Sequence, residues 1–182
     1  MMEKLKNQLN YGSQAGLIAF ILFLIYYYLG FNPFGNIRFL TVWVPILFIY
    51  KTIKAVREDR NGFISYGSAL QNGIFFSFIY ASFSSILVYL FAIIFPNHLI
   101  ETQVNELNKN LEELEKLSGI FSKETYELMI SSIEIAIENT NIRTLAWSEF
   151  QFKLMGGVFI SLIISFILKK KPSPIDDQSN AN

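Results

Sequence analysis

The sequence predicts an all-α integral membrane protein with four transmembrane helices and a two-helix extramembrane insert between spans three and four. Three observations carry that expectation. Of 182 residues, 52% are hydrophobic and 16% charged, with a mean hydropathy of +0.34; soluble domains are about 25% charged. No Asp, Glu, Lys or Arg falls between Lys6 and Arg38, and none between Arg60 and Glu101. The sizeable polar region, residues 97 to 143, is patterned as helices between apolar flanks.

A spanning helix needs about 20 mostly apolar residues to cross about 30 Å of hydrocarbon at 1.5 Å per residue. Span one runs from about Ala15 to Phe31 through AGLIAFILFLIYYYLGF. Lys4 and Lys6 before it invite a secretory-signal reading. The following NPFGNIRF lacks a small-residue cleavage pattern, so the span is read as retained. Asn32, Pro33, Gly35 and Asn36 form a turn that pairs spans one and two antiparallel. Span two, from about Ile37 to Thr52, is the weakest, because Arg38 and Lys51 bound an uncharged stretch of only about 18 Å. Snorkelling of those two stems extends it, and Pro45 is expected to kink it. Span three lies in the long uncharged stretch, from about Asn72 to Phe95, with GFISYGSALQNG as an approach segment. Two crossings would leave no residues there for a turn. Span four starts at about Leu145 or Phe152 and ends at Leu168, before Lys169-Lys170-Lys171. The chain therefore divides into residues 1–96 with three spans, an insert at 97–143, a fourth span at 144–171, and a polar tail at 172–182 expected to be disordered.

Orientation follows from the basic residues in short flanking segments, which tend to remain cytoplasmic. Lys4 and Lys6, then Lys51, Lys54, Arg57 and Arg60, then Lys169 to Lys171 all fall on one side after four crossings. From Glu101 to Lys153 carboxylates outnumber basic residues two to one. Both termini are thus expected in the cytoplasm of a multi-pass protein of the bacterial inner membrane. Tyr26 to Tyr28, Tyr50 and Trp147 fall near the boundaries, as interfacial aromatics do; Trp43 does not.

Within the insert, Val104, Leu107, Leu111 and Leu114 form one apolar seam on a helix otherwise rich in glutamate. Ser118-Gly119 offers a stop, and Ser122 an N-cap for a second helix carrying Tyr126, Met129, Ile130, Ile133 and Ile137 on one face. So short a hairpin needs outside support. It can continue spans three and four as long helices, lie across the bilayer surface, or pair with a second copy; a hairpin packed on itself and on the membrane domain is the expected arrangement.

Much chemistry is excluded. There is no cysteine and His98 is the only histidine, which removes disulfides, Cys/His zinc sites and thiol nucleophiles. Fifteen basic and fifteen acidic residues cancel, so there is no global electrostatic footprint for nucleic acid. No cofactor, metal or catalytic residue is indicated. Three constellations remain. Glu149 and Lys153, spaced i to i+4 with the acid first, are either an intramembrane ion pair, by default a functional-site hypothesis, or an interfacial pair beside Trp147. Gly157, Ser161 and Ser165 in span four and Ser77, Ala81 and Ser85 in span three repeat small residues every four positions, with Gly12 and Gly16 as a further pair. Such ridges let membrane helices approach closely, either within one chain or between copies. Ser65, Ser68, Gln71 and Asn72 enter span three as polar groups that line a route, bond neighbouring helices, or sit among headgroups.

A basic N-terminus, a span ending near Asn32-Pro33, a basic loop leading into Gly62-Phe63-Ile64-Ser65-Tyr66-Gly67-Ser68-Ala69-Leu70, a Glu-rich helical insert and a last span ending in three lysines occur in that order. Over residues 7 to 171 this order resembles the bacterial membrane family known as domain of unknown function 4199, whose G-F-I-S-F-G-x-A-like stretch is its most specific feature. The resemblance implies an integral inner-membrane protein and transfers no activity and no site residues. The residues themselves lead to a non-enzymatic membrane protein acting through helix packing or protein contacts, with the lipid bilayer and a second copy or another membrane protein as partners. The alternative is a subunit of a small transporter or channel using Glu149, Lys153, Gln71 and Asn72.

Overall fold

A computed structural model describes residues 2 to 117 and 119 to 170. The tail from residue 172, Lys171 and Ser118 lie outside the described residues. Among the described residues six α-helices follow in order: α1 (Met2–Tyr28), α2 (Trp43–Glu58), α3 (Tyr66–Ile94), α4 (Pro96–Lys116), α5 (Lys123–Glu138) and α6 (Ile142–Leu168), with a 3-10 segment at Asn36–Thr41 before α2. Among the described residues four stretches are long and apolar enough to cross a membrane: Gln8–Tyr28, Asn36–Glu58, Tyr66–Ile94 and Ile142–Leu168. The chain is an all-helical, multi-pass membrane protein.

Local chemistry explains where the helices stop. At the end of α1, Gly30 adopts φ +79 while Phe31 N–H donates to Tyr26 carbonyl (3.0 Å) and Gly30 N–H to Tyr27 carbonyl (3.1 Å). This is the left-handed closure that glycine makes without a Cβ penalty. Span two differs from expectation in two respects. Its helical run is extended by the 3-10 segment and continues to Glu58, so Arg38 and Lys51 lie within the candidate span Asn36–Glu58 rather than at its ends. Pro45 introduces no mid-helix kink, because α2 begins at Trp43 and places the proline in its first turn, where a missing N–H has no intrahelical partner to lose. Span three starts earlier than expected. Ser65 accepts from Ser68 N–H (3.3 Å) and caps α3 at Tyr66, so the approach segment is helical from Tyr66 onward.

Span four has a defined start. Asn141 accepts from the N–H groups of Arg143 and Thr144 (3.0 and 3.1 Å), and Thr144 hydroxyl accepts from Asn141 N–H (2.9 Å), a reciprocal capping box. Asn141→Ala is expected to cost about 1 kcal/mol, whereas Asn141→Asp keeps the acceptor and stays near wild type. Unfolding midpoints of the two variants in mixed micelles check this.

In the bundle α3 is central, packing on α6, α1 and α2, while α2 also lies against α6 and α1. One end holds the loop between α2 and α3, where Ile64 and Lys170 exchange backbone hydrogen bonds (3.0 and 2.9 Å). Gln8 also meets Asn72 there across α1 and α3. The opposite end carries the α1–α2 turn and α4. Asn32 amide donates to Gln103 (2.9 Å) and Glu106 (2.6 Å), and Tyr27 meets the edge of His98 at 4.9 Å. Aromatic side chains Phe23, Phe34 and Phe91 fill this end of the core. Large apolar side chains such as Ile21, Leu47, Phe78, Leu90, Phe159 and Phe166 point outward. Helices apolar on every side suit a hydrocarbon solvent.

The insert is a helical hairpin, α4 packed on α5 and α4 docked on the α1–α2 turn. Ser122 caps α5, accepting from Thr125 N–H (3.3 Å). Tyr126, Ile130, Ile133 and Ile137 are half-buried, yet no residue of α5 is fully buried. Leu128 is 63% and Ile135 58% exposed.

Candidate functional site

The polar chemistry of the bundle concentrates where α6 crosses α3. On α6 every fourth residue is buried: Leu145, Glu149, Lys153, Gly157, Ser161 and Ser165. A four-residue repeat drifts slowly around a helix of 3.6 residues per turn, so this row presents one ridge along its length to α3. The ridge has an ionic part and a small part.

In the small part each glycine backbone lies against a serine side chain of the other helix. A Cβ on Gly157 would stand 2.5 Å from Ser77 Oγ and 2.7 Å from Ser77 Cβ; one on Gly73 would stand 2.6 Å from Ser161 Oγ. Each hydroxyl turns back onto its own helix, Ser77 to Gly73 carbonyl (2.8 Å) and Ser161 to Gly157 carbonyl (2.7 Å), and the two hydroxyl oxygens are 3.5 Å apart. The interface therefore spends its hydroxyls locally and gains close packing. Ala81 and Ser85 are also buried on α3, Ser85 donating to Ser82 carbonyl (3.1 Å). Ser165 hydroxyl is buried with no partner among the described residues. Gly12 and Gly16 serve the α1–α3 contact, with Ile79 and Phe83 against them. The small-residue ridges thus occupy each other inside one chain.

In the ionic part Glu149 is 3% and Lys153 6% exposed. Lys153 ammonium donates to Glu149 Oε1 and to Ser84 Oγ (2.6 Å), and lies 5.7 Å from the centre of the Tyr80 ring. Glu149 stands about 10 Å along α6 from its start at Ile142. The pair is enclosed between α6 and α3. A pocket of about 10 Å³ lies beside it, lined by Arg38, Thr41, Glu149, Phe152 and Lys153 among others. Arg38 guanidinium sits 4.0 Å over the Phe152 ring, and its Nε is buried with no acceptor among the described residues.

The four polar residues entering span three do not form one site. Ser65 is the cap of α3, Ser68 hydroxyl accepts from Arg60 (2.8 Å), Gln71 is exposed, and Asn72 is buried, accepting from Gln8. Ser65 and Ser68 fasten the α2–α3 loop, and Asn72 the base of α1.

Sequence reasoning missed Arg38, Gly73, Tyr80 and Ser84. Gly73 extends the four-residue repeat of Ser77, Ala81 and Ser85 and was detectable by that spacing. Arg38 reads in sequence as the edge of a span, and Ser84 lies off the repeat, so neither carries a local signal. No group of three or more His, Cys, Asp or Glu side chains that could hold a metal occurs among the described residues.

Among known families, the one described as "Protein of unknown function (DUF4199)" matches residues 10–170. No curated protein and no solved structure matches the chain.

Proposed function

The chain belongs to the DUF4199 family, and from that premise we propose that it is a non-enzymatic protein of the bacterial inner membrane, with both ends cytoplasmic, whose bundle is a platform presenting the acidic hairpin for protein contacts. The observation that carries this reading is α5, which has no fully buried residue although Leu128 and Ile135 are more than half exposed. Apolar surface of this kind outside the spanning helices favours a partner. The self-occupied ridges on α3 and α6 direct contacts to the hairpin rather than to those ridges. The end of the bundle with Arg57, Arg60, Lys169 and Lys170, joined through Ile64 and Lys170, supports a cytoplasmic placement under the positive-inside tendency.

The chain has no cysteine, so Ile135→Cys creates a unique probe on α5. Intact cells are expected to label at this position with a membrane-impermeant maleimide. A benzophenone maleimide on the same thiol is expected to yield, on irradiation, an adduct with a second copy or another protein. Labelling only after lysis would reverse the orientation, and an exclusively monomeric product in native membranes would remove the contact role.

The buried Glu149–Lys153 pair favours a second reading, a subunit of a small transporter or channel. Flux through proteoliposomes unchanged in Glu149→Gln and Lys153→Ala would dismiss it.

A further inference from the structure

We propose that the groove between α3 and α6, at the end of the bundle nearest the hairpin, binds one anionic glycerophospholipid, its phosphate on Arg143 and the upper part of an acyl chain below. The register of the two helices sets the vertical order of this groove. Gly157 meets Ser77 and Gly73 meets Ser161, so residue numbers rise on α6 as they fall on α3 and the helices run antiparallel. Arg143 and Tyr89 therefore share one end. The candidate span Ile142–Leu168 begins there, at the level where headgroups meet hydrocarbon. The groove has a volume of about 400 Å³. Arg143 to Phe150 on α6 and Tyr89 to Ser82 on α3 each cover about 10 Å of helix, a depth that stays within one leaflet of a core about 30 Å thick.

Its polarity is ordered as that of a phospholipid. At the upper end stand Arg143, the Tyr89 phenol and the Trp147 indole, a cation beside two side chains that each carry one donor on an apolar body. Below them lie Ile86 and Phe150, over a floor kept low by Ala146 and Ser85. Ser85 hydroxyl donates to Ser82 carbonyl (3.1 Å) and so spends its polarity on its own helix. Trp147 stacks on Phe150 with ring centres 5.3 Å apart, and Phe150 meets the edge of Phe78 at 6.0 Å, which braces an aromatic wall across the two helices. Charge selects the headgroup. The ion pairs among the described residues, Lys54–Glu58, Lys123–Glu127 and Lys153–Glu149, do not include Arg143. Arg143 also lies in the first turn of α6, where the helix dipole disfavours a cation and a bound anion offsets that cost. Among the described residues no carboxylate lines the groove. A phosphate thus meets a cation, whereas the ammonium of a zwitterionic headgroup finds no counter-charge in the lining. Basic pockets between spanning helices hold anionic headgroups by this logic. The site depends on neither functional reading above, because it uses the lipid-facing side of α3 and α6 rather than α5 or the Glu149–Lys153 pair.

The test uses the full chain carrying Trp43→Phe, which leaves Trp147 as its single tryptophan, in phosphatidylcholine nanodiscs. Phosphatidylglycerol brominated on its acyl chains is titrated in and the quenching of Trp147 is read. Bromine quenches an indole only at short range, so basic residues at the far end of the bundle do not contribute. Half-maximal quenching is expected at a mole fraction about fivefold lower than for equally brominated phosphatidylcholine. Arg143→Gln should erase that preference and Arg143→Lys should keep part of it. Ala146→Leu fills the groove beneath an intact arginine and should erase it too, whereas attraction to a positive surface alone would leave it unchanged. Arg143 is exposed and serves the Asn141 cap through its backbone N–H, so its variants are expected to fold. Should Ala146→Leu fail to fold, native mass spectrometry of the wild-type protein decides, with one phosphatidylglycerol expected to survive purification from an equal mixture with phosphatidylcholine. Equal half-points for the two lipids, a preference that outlasts Arg143→Gln or Ala146→Leu, or equal retention of both lipids in the mass spectrum would overturn the assignment.

Discussion

Gly157→Leu is expected to abolish the native bundle, while Gly156→Leu, one residue away, is expected to leave it intact. The two glycines are neighbours in sequence and opposites in space. A Cβ on Gly157 meets Ser77 Oγ at 2.5 Å and Ser77 Cβ at 2.7 Å, with Ser77 Cα at 3.5 Å behind them, whereas a Cβ on Gly156 meets nothing within 4 Å. Rotating the Ser77 side chain does not relieve the contact, because its Cβ and Cα are fixed to the α3 backbone. The helices must separate, and that breaks the reciprocal contact of Gly73 with Ser161 as well. Overpacking in a core costs about 1–3 kcal/mol and sometimes more, and a leucine adds three carbons beyond the Cβ already too close. At position 156 leucine faces outward and improves on the helix propensity of glycine by up to about 1 kcal/mol. Size-exclusion profiles and unfolding midpoints of the two variants, expressed side by side, read the difference. A folded Gly157→Leu protein with a wild-type midpoint would mean that α3 and α6 are not packed through this row.

The spans were legible because charge cannot be hidden along a lipid-facing helix, so the gaps from Lys6 to Arg38 and Arg60 to Glu101 outline them without knowledge of any contact. Their ends were less legible. Gln8, Asn10, Ser13 and Gln14 dilute the first turns of span one, although the helix runs through them and buries Gln8 against Asn72. Pro45 was read as an internal kink because nothing local reveals that the preceding residues form a 3-10 segment and that α2 starts only at Trp43. The same division runs through the polar site. The Glu149–Lys153 spacing and the row of Gly157, Ser161 and Ser165 are properties of one helix and were visible. Their burial depends on Ser84, Ser77 and Gly73 from α3 and on Arg38 from the segment before α2, and which helix faces which is decided by packing. For this reason Ser65, Ser68, Gln71 and Asn72, close in sequence and alike in chemistry, looked like one entrance, yet Ser65 caps α3, Ser68 and Asn72 take separate partners, and Gln71 is exposed.

Removing either member of the Glu149–Lys153 pair is expected to damage the protein far more than removing both. Lys153→Met leaves Glu149 carboxylate buried at 3% exposure without its donor. Glu149→Leu leaves the ammonium with Ser84 hydroxyl as its named acceptor. A stranded buried charge costs about 3–5 kcal/mol, whereas replacing a whole buried pair with apolar groups of similar volume is often neutral or stabilising. The double variant Glu149→Leu/Lys153→Met should therefore recover most of the loss of either single change, giving a coupling energy well beyond the roughly 0.5 kcal/mol by which independent sites depart from additivity. Unfolding midpoints of all four proteins in mixed micelles close the cycle. The sign carries the argument: a solvated pair at the interface would show two small, additive effects, because water would compensate whichever charge remained. An enclosed pair has only its partner. If the double variant folds well and keeps its contacts through α5, the charges serve something other than stability, and the loss of that property in an otherwise native bundle is how their role becomes measurable.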